Sequence, residues 1–147
     1  MPRKQIELMV LLQDLCLAFV INAAATILNG GFVTTDLFLV GMFQAFCINY
    51  ISGLAIPVAK IGTNAAKSAG LQEGSLSYKL LRTFVINAIF VTIVSFTIAL
   101  INVGPSLEVV FVWIQTYPIL HLVGFVTSVL IEDPCAELAG VMLGLVE

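Results

Sequence analysis

Asp14 and His121 are the ionisable side chains that fall deep inside long apolar runs of this 147-residue chain. Such groups are rare and costly within membrane spans, so each is a functional hypothesis by default. An imidazole titrates near neutrality, and burial disfavours the charged form of a carboxylate. Together they suggest a proton or substrate site. Asn49 and Ser52 lie in a second apolar run and Asn87 in a third. Asp14 is six residues from the start of its run and His121 ten from the end of its own. Their depths then differ by about 6 Å at 1.5 Å per residue. Asp14, Asn49, Ser52, Asn87 and His121 could therefore form one intramembrane polar layer. The alternative is structural: Asn, Gln, Ser and Thr hydrogen-bond between membrane helices for about 0.6 kcal/mol on average. The structural reading is preferred.

Other chemistry is poorly supplied. His121 is the lone histidine, and one imidazole does not make a metal site. Haem would need a second axial ligand, which only a second protomer's copy of the same histidine could give. Ser52, Ser95 and Ser128 have no His and Asp at usable spacing. Cys16, Cys47 and Cys135 form neither a C-x-x-C pair nor a disulfide framework. No catalytic residue, metal or cofactor is expected.

The elements that must position these residues follow from composition. Sixty per cent of the residues are hydrophobic and 10% are charged, and the mean hydropathy is +1.09. A soluble domain carries about 25% charged residues, so the chain belongs to the membrane class. The net charge of -3 says little about partners, and no basic patch interleaved with aromatics suggests nucleic acid. The first run, Leu8 to Leu28, is long enough to span, which takes about 20 apolar residues. The positively charged start and Ala23-Ala24-Ala25 resemble a signal peptide. That reading is rejected because Asp14 interrupts the apolar segment and a later helix repeats the pattern.

Asn29-Gly30-Gly31 should stop the first helix, and Thr34, Thr35 or Asp36 can cap the next. The second run, Leu37 to Ile56, ends at Pro57. Val58 to Ala69 is expected to continue as a helix along the membrane surface, with a turn from Gly70 to Ser75. The third run, Leu80 to Ile101, stops at Asn102-Val103-Gly104-Pro105. The fourth, Val109 to Ile131, contains Pro118, which should bend it. Glu132-Asp133-Pro134 is expected to end it, leaving a short apolar tail. Gly140 and Gly144 have GxxxG spacing there, a weak signal outside a span. Trp113, Tyr117 and Phe111 read as interfacial and packing aromatics.

The two halves match at an offset of 73. Asp14 falls on Asn87, Asn22 on Ser95, Asn29 on Asn102, Gly31 on Gly104 and Phe38 on Phe111. A competing offset of 65 places Phe19-Val20-Ile21-Asn22-Ala23 on Phe84-Val85-Ile86-Asn87-Ala88. The larger offset is preferred because it also aligns the loops and the second helix. Residues 1–69 and 70–147 then form two parallel repeats within one membrane domain. Arg3, Lys4, Lys60, Lys67, Lys79 and Arg82 all fall on one side of four spans. The positive-inside rule puts both termini and the linker in the cytoplasm.

Met-Pro-Arg-Lys with Glu7 before the first span, the Asn-Gly loop, Ala55-Ile56-Pro57-Val58-Ala59-Lys60 and Trp113-Ile114-Gln115-Thr116-Tyr117-Pro118 carry a resemblance. The chain resembles small bacterial inner-membrane proteins made of two copies of a two-helix domain of unknown function. In that pattern a proline sits inside the second helix of each copy. Here Pro57 is near its helix end and Pro118 is central. The resemblance implies a bacterial inner-membrane location, and the family has no established activity that could be carried over to any residue. The expected fold is all-α, a four-helix integral membrane bundle of two hairpins. The expected function is a non-enzymatic module in the lipid bilayer that binds a membrane protein partner or self-associates as a homo-oligomer. The alternative is a small oligomeric transporter or channel with Asp14 and His121 as polar gates.

Overall fold

The structure is a computed structural model describing residues 1–28 and 34–145. The expected Asn29-Gly30-Gly31 stop lies outside the described residues. Five helices account for most of the chain: α1 (Arg3–Leu28), α2 (Thr35–Ala55), α3 (Val58–Ser68), α4 (Leu76–Val103) and α5 (Leu107–Met142). Four of them, α1, α2, α4 and α5, are long and apolar enough to cross a membrane. The all-α, four-span expectation is borne out.

The helix ends have local causes. The α2 helix stops at Ala55, two residues before Pro57, which has no N–H to continue it. Pro57 instead stands at the N-cap of α3, whose first turn tolerates proline. At the other end of α3, Gly70 takes a positive φ of 74°. The Leu71 N–H then donates to the Ala66 carbonyl at 3.2 Å, a left-handed cap that closes the helix. Ser75 caps α4 by accepting from the Tyr78 N–H at 3.2 Å. Thr34 stands at the N-cap of α2 without a side-chain cap bond.

One boundary differs from expectation. The α5 helix does not end at Glu132-Asp133-Pro134 but runs through Pro118 and Pro134 to Met142. Glu132 and Asp133 stay helical because partners on α4 hold them. Lys79 Nζ lies 3.0 Å from Asp133 Oδ1, and Arg82 Nη1 lies 3.3 Å from Glu132 Oε1. Beyond Pro134, the Gln5 side chain donates to the Ala136 carbonyl at 3.1 Å. That bond ties the start of α1 to the end of α5.

The long helices close a ring. The α1 helix packs on α2 and α5, and α4 packs on the same two. The α1 and α4 helices thus stand on one diagonal, and α2 and α5 on the other. The α3 helix lies outside against α4. It buries Val58, Gly62 and Ala66, one residue per turn, and turns Lys60 and Lys67 outward. Inside the ring the core is made of small and branched side chains. Ala18, Ala45 and Val94 form one layer, and Ile21, Val91 and Leu120 another. Large apolar side chains such as Phe43, Ile51, Leu54 and Leu122 face outward, the arrangement that suits a hydrocarbon surrounding.

Candidate functional site

Asp14 faces into the bundle and is 6% exposed. It lies one turn below the Ala18–Ala45–Val94 layer, at the level where α2 presents Asn49. Asn49 Nδ2 donates to Asp14 Oδ1 at 2.7 Å. No hydrogen bond reaches the second carboxylate oxygen among the described residues. Ser52, also buried, is one turn from Asn49. Its side chain hydrogen-bonds to neither Asp14 nor Asn49, while its carbonyl takes the Ile56 N–H that ends α2.

Asn87 and His121 form a second pair. Asn87 Nδ2 donates to the His121 carbonyl at 3.0 Å and lies 3.1 Å from His121 Nδ1. A carbonyl can only accept, so the amide orientation is fixed and Nδ1 must accept too. The imidazole proton then sits on Nε2. The ring is packed as well, stacked on Tyr117 at 5.7 Å and in a T-shaped contact with Phe84 at 4.8 Å. Asn87 Oδ1 accepts a long bond from Ser128 at 3.5 Å.

The five residues named from sequence are thus two pairs and one bystander. One member of each pair reaches a shared cavity of about 190 Å³. Asp14, Asn87, Ser128 and Thr83 line it, with Gln13 beside them and the Arg82–Glu132 ion pair at its inner end. Among the described residues Glu132 Oε2 makes no hydrogen bond, and Lys79 Nζ lies 3.6 Å from it. A second, larger space of about 700 Å³ runs outside Asp14, between α1 and the α2–α3 break. Asp14 lines both spaces. Arg82, Glu132 and Ser128 were not foreseen as neighbours of Asp14. Charge at the span ends was the available signal, but hydropathy reads such residues as boundaries.

A second device was visible in the sequence only as a coincidence. Asn87 reaches the His121 carbonyl because residue 124 is glycine. A Cβ at Gly124 would lie 2.8 Å from Asn87 Oδ1 and 3.0 Å from Val91 Cγ2. Asn22 does the same in the first hairpin. Its Nδ2 donates to the Phe38 carbonyl at 2.8 Å, and its side chain covers Gly41. In both places the accepting carbonyl lies three residues before the glycine. These are the two asparagines of the recurring Phe-Val-Ile-Asn-Ala string. The seats superpose at an offset of 65 on the rising helix (87 − 22) and 83 on the returning helix (121 − 38). The two values straddle 73, so the same seat is used at different depths in the two hairpins.

The aromatics of α5 combine packing with hydrogen bonding. Trp113 Nε1 donates to Ser95 Oγ at 2.9 Å, and the Tyr117 hydroxyl donates to Thr92 Oγ1 at 3.1 Å, since the Thr92 proton goes to the Ala88 carbonyl at 2.6 Å. Phe111 is exposed. Among the described residues, no three His, Cys, Asp or Glu side chains gather closely enough to hold a metal ion. No protein-family model matches the chain, and neither do any of the curated proteins or solved structures compared with it.

Proposed function

We propose that this chain is a non-enzymatic membrane module that binds a ligand or partner, a second copy included, at the groove beside Asp14. The observation that carries the reading is a buried carboxylate held by Asn49 through one oxygen, with the other left free beside an open space. Pure structural glue needs no such vacancy. Catalysis finds little support, because His121 is committed through Nδ1 and packed between Tyr117 and Phe84. A second reading, a small oligomeric transporter, is favoured by the position of Asp14 on both the inner cavity and the outer groove.

Native mass spectrometry of the particle extracted in mild detergent tests the binding reading. Retained mass beyond the polypeptide, or twice the chain mass, is expected. Gly53→Leu should abolish it by filling the groove, since a Cβ at Gly53 meets Phe90 at an ordinary 3.5 Å. A bare monomer from native membranes would sink the reading.

We infer further a bacterial inner-membrane location with the basic end of the bundle in the cytoplasm. Arg3, Lys4, Lys60, Lys67, Lys79 and Arg82 all lie at the end where α1 and α4 begin. In a background with Cys16, Cys47 and Cys135 replaced, a cysteine at Gly104 should react with a membrane-impermeant maleimide from outside intact cells. A cysteine at Gly70 should react only after lysis. The reverse pattern would invert the topology. The duplication of residues 1–69 in 70–147 is likewise a proposal. Its support is the ring, in which α1 and α4 are diagonal partners, as are α2 and α5. A two-fold axis along the bundle relates such pairs.

A further inference from the structure

We propose that the groove beside Asp14 is a binding site for a hydrophobic organic cation, an ammonium carried on an alkyl or aryl body. The inference rests on the binding reading above and names the chemical class of the occupant. Three observations converge. The first is the receptor: Asp14 is buried, at 6% exposure, and its second oxygen has no hydrogen-bond partner among the described residues. The second is the wall. Val10, Gly53, Leu54, Pro57, Val58 and Phe90 make it apolar, and Tyr50 adds a second aromatic ring. Aromatic faces attract ammonium groups, more strongly when desolvated. The third is size: a space of about 700 Å³ lies within the range of about 300–1,000 Å³ that takes drug-sized ligands.

Charge selects the sign of the ligand. The charged side chains among the described residues that line the groove are Glu7, Asp14 and Lys60, a formal sum of -1. Glu7 lies about two turns from Asp14 along α1 and is paired with Arg3 Nε at 2.8 Å, so Asp14 is the groove carboxylate without a cation partner among the described residues. An anion would face the carboxylate at the bottom with no cation there to balance it. A neutral body could fill the groove but would leave the free Asp14 oxygen without a strong donor. An ammonium N–H satisfies it with a charge-assisted hydrogen bond.

The test uses the full chain in nanodiscs of zwitterionic lipid and two probes differing in one group. One is a dansyl-tagged octylammonium, and the other is the same molecule ending in a hydroxyl. Saturable dansyl fluorescence is expected for the ammonium probe, with at least tenfold tighter binding than for the alcohol. Asp14→Asn should erase that preference while leaving alcohol binding unchanged, because Asn keeps an oxygen for Asn49 and loses the charge. Gly53→Leu should weaken both probes together. Equal binding of the two probes to the parent, or an undiminished preference in Asp14→Asn, would overturn the cation assignment and leave groove binding standing. Saturable binding of neither probe would overturn it as well, and native mass then decides the broader reading independently.

Discussion

Replacing Asp14 with leucine should destabilise the bundle by about 2 kcal/mol, while replacing it with asparagine should leave stability unchanged or improved. The difference lies in what happens to Asn49. Its Nδ2 donates to Asp14 Oδ1 at 2.7 Å in a buried setting. Leucine would strand that donor, and a buried donor left unsatisfied costs about 1–3 kcal/mol. Asparagine keeps the acceptor. It also removes a carboxylate whose insertion at a helix centre costs roughly 2.5–3.5 kcal/mol on translocation-based scales. Leucine recovers part of its loss by filling some of the 190 Å³ cavity, which keeps the expected effect near the middle of the range. Reversible denaturation of the three proteins in one detergent at pH 7 gives the order. If leucine unfolds at the same midpoint as the parent, the Asp14–Asn49 bond does not hold α1 to α2. The same set of variants separates stability from binding, because asparagine should fold well and lose the ammonium preference.

The second large effect is expected at Gly62. A Cβ there would fall 2.7 Å from Ile86 Cγ1 and 2.9 Å from the Arg82 carbonyl oxygen. Ile86 can adjust its side chain, but the carbonyl belongs to the α4 backbone and cannot yield without disturbing the helix. Gly62→Ala should cost about 1–3 kcal/mol, the usual range for overpacking. Gly62→Leu should detach α3 from α4 altogether. Hydrogen exchange reads this directly. Amides of α3 should lose protection in Gly62→Leu, while those in the middle of α4 stay slow. Val58 and Ala59 form part of the groove wall, so detachment should also weaken both dansyl probes. Retained protection across Val58–Ser68 would mean that α3 is held by something other than close backbone approach.

The fold was legible where burial in lipid dictates composition. All four spans were found, because each is a long apolar run. Their ends were less legible, because hydropathy marks where a helix leaves hydrocarbon, not where its hydrogen bonds stop. The polar first turns of α1 are helical from Arg3, ahead of the expected Leu8. Likewise α5 continues past Ile131, since Glu132 and Asp133 find cations on α4. Inside the site, the polar layer expected around Asp14 held Asn49, Ser52, Asn87 and His121, and depth alone could not say which of them bonds it. Asn87 proved committed to His121, and Ser52 stands apart. Which residues share a cavity depends on helix rotation, and these spans are apolar nearly all round. A sequence gives little purchase on rotation in that case. The seats at Gly41 and Gly124 depend on interhelical distance, which no single helix reveals.

The four long helices are unequal in length, which sets how each would fit a bilayer. The α2 helix has 21 residues, about 32 Å at 1.5 Å per residue, against about 42 Å for the 28 residues of α4. A hydrocarbon core is about 30 Å thick, so α2 crosses it with almost nothing to spare, while its neighbours accommodate a thicker membrane by tilting less. Thickening therefore strains α2 first. Asn49 is on that helix, and its bond to Asp14 is the buried side-chain tie between α2 and α1 nearest the groove. A thicker bilayer would therefore load two side-chain ties between α1 and α2 together, Asn49 to Asp14 and Asn22 to the Phe38 carbonyl.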